Sequence, residues 1–268
     1  MVTRRAPRPS SVLTGYVLHR YDWSESSLIL DVLTREQGRL AVVAKGAKRP
    51  YSQLRPVLLP FQRLHITLGR VPRAGAEPTE PASEVQTLRS AEWAGGAAML
   101  TGAALFSGFY LNELLMRLLA RSDPHAALFD AYAETLPALV SGPEGGDDGA
   151  VQAALRAFEL LLLREIGVLP DLSLVTLTLQ PLDAGAGYQL LPEAGVATAQ
   201  PGDAQLSGRA LTTLQAALDH GSLAALQQAC AASLAELRPL LRALLHYHLG
   251  SSVLRTRQVM QGVQALER

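Results

Sequence analysis

Leu28-Ile29-Leu30-Asp31-Val32-Leu33-Thr34-Arg35-Glu36-Gln37-Gly38-Arg39-Leu40-Ala41-Val42-Val43-Ala44 is the stretch on which the fold turns. Leu and β-branched residues fill both flanks with a period near two, and the polar run Thr34 to Gly38 separates them. Gly38 can take the positive φ that a tight reversal demands, so the stretch predicts an antiparallel hairpin. Upstream, Val12, Thr14, Tyr16 and Val17 repeat the pattern, and the turn formers Tyr21-Asp22-Trp23-Ser24-Glu25-Ser26 set them apart from Leu28. A meander of three strands results. Downstream, Phe61 to Leu68 reads as a fourth strand. After a Pro- and Gly-rich excursion over Val71 to Pro81, Val85 to Trp93 reads as a fifth.

Five short strands in about 80 residues indicate a small closed or partly open barrel, of which the OB-fold is the kind that most often binds single-stranded nucleic acid. Beyond Gly95-Gly96 the sequence turns to Ala and Leu at helical spacing, with Phe106, Tyr110, Leu114 and Leu118 on one stripe. Asp123 and Pro124 suit the N-cap and first position of a second helix reaching Val140, followed by an acidic Gly-rich loop over Ser141 to Gly149. Val151 to Ile166 reads as a third helix, stopped by Gly167. Helical pattern resumes at Ser207. Ser222 then caps one long helix through Leu245, which Pro239 kinks. The fold class is α+β multidomain: an OB-fold barrel over 1–82 and a helical domain over 83–268, with 168–206 as an irregular or hairpin-like insertion.

Charge is segregated along the chain. Residues 1–73 carry thirteen Lys and Arg against four Asp and Glu, a net +9, and since the whole chain is formally neutral the remainder carries −9. Both lysines, Lys45 and Lys48, lie in Ala44-Lys45-Gly46-Ala47-Lys48-Arg49-Pro50. Concentrated Lys and Arg displace condensed counterions from a phosphate backbone, so this segment suits a polyanion; a solvated basic face would give the same count. One cysteine, Cys230, excludes an internal disulfide framework and reads as a buried, inert thiol. The N-terminal Arg4-Arg5-Ala6-Pro7-Arg8-Pro9 lacks the apolar core of a secretory signal and reads as a basic arm. No phosphate-cradling Gly-x-x-x-x-Gly-Lys-Ser/Thr loop is present, and Gly185-Ala186-Gly187 is too short for a dinucleotide fingerprint. His246 and His248, two apart on a helix, do not share a face as co-ligands. The expectation is a cytoplasmic protein that is not an enzyme and uses no cofactor.

The order Gly15-Tyr16-Val17-Leu18, Glu25-Ser26-Ser27-Leu28-Ile29, Leu33 to Gly38, Val43 to Arg49, then Leu59-Pro60-Phe61 resembles the N-terminal domain of the bacterial RecO family of recombination mediators. The resemblance is colinear through about residue 70. In the helical part Ile166-Gly167-Val168-Leu169-Pro170 with Asp171-Leu172 is the best local match. It implies a protein of DNA repair and recombination that binds ssDNA and dsDNA and anneals complementary strands. It further implies that, with RecR, the protein helps load the recombinase RecA on strands coated by single-strand DNA-binding protein, whose acidic tail the family also binds. Members commonly carry a four-cysteine zinc motif after the Gly-x-x-Pro, whereas 171–203 here hold neither Cys nor His. A zinc site of that kind needs thiolate or imidazole donors, so the insertion is expected without metal, held by packing of Leu174, Leu177, Leu179, Tyr188, Leu190 and Leu191.

For the nucleic acid, the candidates are Lys45, Lys48, Arg49 and Arg55 after the third strand, with Arg35 and Arg39 flanking the preceding hairpin and Arg20 on the first strand. Trp23 and Tyr51, expected in loops like Tyr21, are the aromatics that can reach bases. A set of six phosphate contacts would cost on the order of a thousandfold in affinity between about 50 and 200 mM salt. Arg117 and Arg121, at the end of the first long helix, are the candidate receptors for a partner's carboxylate. The other reading of the same basic loop is an RNA- or ribosome-associated OB-fold protein, which would prefer structured RNA.

Overall fold

The computed structural model describes residues 12–69, 85–96, 99–140, 148–250, 254–256 and 258–259. The basic arm, the 71–81 excursion and most of the acidic loop at 141–149 lie outside them. Two compact units are present, one of Met1–Ala98 with Ala120–Ala126, the other of Met99–Leu119 with Ala127–Arg268.

In the first unit β1 (Val12–Asp22), β2 (Leu28–Thr34), β3 (Gly38–Ala44), β4 (Arg63–Leu68) and β5 (Val85–Trp93) close into a barrel of order β1-β2-β3-β5-β4. The meander pairs Asp22 with Leu28 at one end of β2 and Thr34 with Gly38 at the other. Closure comes from β5, parallel to β3 and antiparallel to β4. Alternation does the rest: Leu30, Val32, Leu40, Val42, Leu64 and Ile66 point inward and make the core. The boundary expected at 82 is therefore too early, because the strand that closes the barrel runs to Trp93 and the unit to Ala98.

Gly38 turns at φ +70°, and a Cβ there would run into the backbone of Asp123. Asp123 is thus packed on the hairpin rather than starting a helix. The segment around it continues the barrel's hydrogen bonding: Ser122 N–H donates to the Arg39 carbonyl at 2.9 Å, and Arg39 bridges Arg121 in parallel.

The second unit contains α1 (Gly102–Leu118), α2 (Ala126–Val140, but for its first residue) and α3 (Asp148–Glu165), then β6 (Gly187–Leu191), β7 (Gly195–Thr198) and β8 (Leu206–Ser207) in a sheet of order β7-β6-β8. It ends with α4 (Gly208–His220), α5 (Leu223–Ala232) and α6 (Leu234–Leu249). Ser207 and Ser222 cap α4 and α5 by accepting from Ala210 and Ala225 N–H. The single helix expected after Ser222 is two helices. Ser233, at φ −136° and ψ 31°, leaves the helical region and separates them, so Pro239 sits inside α6 instead of marking the break. The buried side of this unit is nearly all Leu, with Phe129, Tyr132 and Phe158 enclosed, and Cys230 fully buried. Burial pushes the Cys230 thiol up to about 12, with the Glu159 carboxylate adding to it, which makes it inert at neutral pH.

Candidate nucleic-acid interface

All five strands have an end at one mouth of the barrel: β1 and β3 finish there, β2 and β4 begin there, and β5 ends there at Trp93, opposite Leu64. The turn 23–27 and the connection 45–62 stand over this mouth. The connection proceeds by short turns, with Arg49 N–H to Gly46 carbonyl at 3.2 Å and Ser52 N–H to Arg49 carbonyl at 3.0 Å. Its apolar residues decide its position. Ala47 and Leu58 are buried in the barrel core and Leu54 and Val57 pack against it, which leaves Lys45, Arg49, Tyr51 and Arg55 facing water.

A shallow groove of about 680 Å³ opens here, lined among others by Arg20, Tyr51, Arg55 and Leu59. Arg20 lies opposite Leu30 on β1 and reaches the connection, donating from Nη1 to the Leu58 carbonyl at 3.4 Å. Lys48 ties the connection to the first turn: Nζ is 3.1 Å from the Asp22 carboxylate and 3.1 Å from the Ser24 carbonyl it donates to, and its N–H donates to Ser26 at 3.0 Å. Trp23, in that turn, is 65% exposed and Tyr51 94%. Seven of the nine candidates for nucleic acid, Arg20, Trp23, Lys45, Lys48, Arg49, Tyr51 and Arg55, therefore stand at one end of the barrel.

Arg35 does not join them. It follows Thr34 at the opposite end of β2, about 20 Å of strand away. Arg39 lies between, on the outer face of β3, in a charged cluster with Tyr21, Asp31 and Arg121. Asp31 is buried on that face, its carboxylate 3.8 Å from Arg121 Nη2. Tyr21 is a β1 residue paired with Ile29 rather than a loop residue; burial raises its hydroxyl pKa, and the hydrogen bond it gives to the charged Asp31 raises it further. A continuous track from Arg35 through Arg39 to Lys45 does not exist.

Arg117 and Arg121 do not form one receptor either. Arg121 belongs with the barrel and pairs with Asp31, whereas Arg117 is on α1 and ion-paired to Glu113 at 2.7 Å. The second unit offers a different concavity, of about 150 Å³, with Phe106, Leu155 and Leu245 as apolar lining and Arg238, Arg242 and His246 from α6. Those three are four residues apart and so share one stripe, a spacing visible in the sequence but passed over there. Nearby the Arg156 guanidinium is 2.7 Å from the fully buried Glu159, which also accepts from the Tyr110 hydroxyl at 2.6 Å. The sequence marks Trp93 only as the end of a strand; the register with Leu64 is what places it at the barrel mouth.

The insertion does not fit a zinc ion. Its carboxylates serve separate turns: Asp171 accepts from Ser173, Asp183 from Gly185 N–H, Asp203 from Gln189 and Gln200, and Glu193 from the Tyr247 hydroxyl. Among the described residues no three His, Cys, Asp or Glu converge on one point. The apolar packing expected there holds for Tyr188 and Leu190, which are buried, but Leu177 and Leu179 are 80% and 72% exposed. Also among the described residues, no helix is long and apolar enough to cross a membrane.

The family model described as Recombination protein O N terminal matches residues 11–76, and that described as Recombination protein O C terminal matches 99–258. The chain is 54% identical to the DNA repair protein RecO of Variovorax paradoxus and to that of Verminephrobacter eiseniae, in each case over 94% of this chain and 96% of the relative. It is 50% identical to the DNA repair protein RecO of Delftia acidovorans over the same shares. With four strands of the closed barrel where the first model matches and helices where the second does, the chain belongs to the RecO family of DNA repair and recombination proteins.

Proposed function

We propose that this chain is a recombination mediator that holds DNA by its phosphates at the mouth of the barrel, with little regard to sequence, and does so without hydrolysing anything. In this reading it anneals complementary strands at the nucleoid and, with RecR, helps load recombinase on strands coated by single-strand DNA-binding protein. The observation that carries it is the gathering of Arg20, Lys45, Lys48, Arg49 and Arg55 with exposed aromatics on one end of a five-stranded barrel. Five cations, rather than six along a longer track, set the expected salt dependence. Raising salt from about 50 to 200 mM should weaken single-strand binding on the order of a hundredfold and duplex binding several hundredfold. Titrating a labelled oligonucleotide across that range tests it, and a flat curve would remove phosphate contact as the basis of binding.

The acidic tail of single-strand DNA-binding protein has a chemically suitable receptor in the α6 cleft, where an apolar floor beside Arg238, Arg242 and His246 suits a peptide that is both acidic and apolar. Replacing Arg238 and Arg242 by alanine should weaken binding of such a peptide about tenfold or more while leaving oligonucleotide affinity unchanged. Fluorescence anisotropy with a labelled peptide reads the first and with a labelled oligonucleotide the second.

A further inference from the structure

The chain has two tryptophans, and both are exposed at the same end of the barrel. Trp23 follows the last residue of β1 and is fixed in its turn by an N–H bond to the Ser27 carbonyl at 3.3 Å. Trp93 closes β5, paired with Leu64, and is 61% exposed. An indole is the largest apolar side chain, and folding ordinarily hides most of it. Here both stand in water at the mouth over which the connection with its exposed Lys45, Arg49 and Arg55 stands. Acidic neighbours exist, Asp22 and Glu25 near Trp23 and Glu92 beside Trp93, but Asp22 is already taken up by Lys48.

Flat π-faces next to cations match one polymer in particular. In a single strand every unpaired base has a face to stack on while the phosphates meet the cations; in a duplex those faces are covered by neighbouring bases. We propose that Trp93, with Trp23 at the same barrel end, stacks on unpaired bases and gives the interface a preference for single strands over duplex. This rests on the DNA-binding reading above and adds a second, non-ionic recognition to it.

The two-tryptophan composition supplies the test. Trp93→Phe leaves Trp23 as the sole indole and Trp23→Phe leaves Trp93, so intrinsic fluorescence follows each site separately. Saturating oligothymidylate should quench both indoles, and a duplex of the same length should quench neither strongly. Trp93→Ala should weaken oligothymidylate binding about tenfold with duplex affinity and the salt slope unchanged, and Trp93→Phe should keep part of the loss back. An unquenched Trp93 in a chain that still binds in a salt-dependent way overturns this proposal alone. Equal loss of single-strand and duplex binding in Trp93→Ala, with the fold intact by circular dichroism, overturns it as well. A wild-type chain that binds neither form overturns both this proposal and the reading beneath it.

Discussion

Lys45 and Lys48 are three residues apart and of one chemical type, yet the fold uses them differently. Lys48 sits between the Asp22 carboxylate and the Ser24 carbonyl, holding two loops together, whereas Lys45 is exposed on the connection. An ion pair at the surface is worth about 0–1 kcal/mol, so Lys48→Ala should lower stability by no more than that while also weakening DNA binding. Lys45→Ala should weaken binding and leave the thermal midpoint where it was; calorimetry beside an oligonucleotide titration separates the two. Gly38 bears on stability more heavily. Its φ of +70° and the Asp123 backbone behind it leave no room for a methyl group, so Gly38→Ala should cost about 2 kcal/mol or more, read by urea unfolding. The same glycine was legible in the sequence as the end of a hairpin. What stood behind it was not, because Asp123 is 85 residues further along the chain.

Elements were legible where the residue pattern matches a local geometry. The β2–β3 hairpin follows from its alternation, and α3 from its apolar periodicity between a Gly-rich loop and Gly167. Arg35 and Arg39 fall away from the other basic candidates because a hairpin separates what the sequence keeps close: Arg35 and Lys45 are ten apart in the chain but lie at opposite ends of the same pair of strands. In the insertion, Asx-type turns and the Glu193 to Tyr247 contact engage the carboxylates one by one, so chelator should leave its thermal unfolding unchanged, and added zinc should do the same. Elsewhere in the unit Glu113 caps residues 255–256, accepting the N–H groups of Arg255 and Thr256 at 3.0 Å and the Thr256 hydroxyl at 2.6 Å. Burial by itself would raise its pKa, but these three donors with Arg117 outweigh that and bring it below the ordinary 4.5. A carboxylate depressed in the folded state contributes stability that is complete above 4.5 and lost as pH falls through the lower, folded value. Protection of the amides at 255–256, taken relative to their intrinsic exchange rates, should therefore fall on acidification across that window, and Glu113→Gln should lower it at neutral pH already.

At the scale of the molecule the chain passes through the barrel unit twice, since Ala120–Ala126 returns to it after α1. That return adds a hydrogen bond and a charge pair to the barrel unit. Ser122 N–H satisfies the Arg39 carbonyl, and Arg121 faces an Asp31 carboxylate that is only 4% exposed. A buried carboxylate deprived of a cation is costly in proportion to how little water reaches it, whereas removing the whole pair costs far less. Because Arg121 is itself partly exposed and 3.8 Å away, its loss should fall at the low end, about 1–3 kcal/mol. Arg121→Ala should therefore lower urea stability by that amount, and Asp31→Asn on top of it should restore most of the loss, a coupling that independent sites do not show. Should the double substitution be no more stable than Arg121→Ala, the pair is not what anchors the returning segment. Should it recover, a barrel cut after Ala98 must be less stable than the barrel within the full chain, and binding experiments on the isolated N-terminal piece would then understate what its cationic mouth can do.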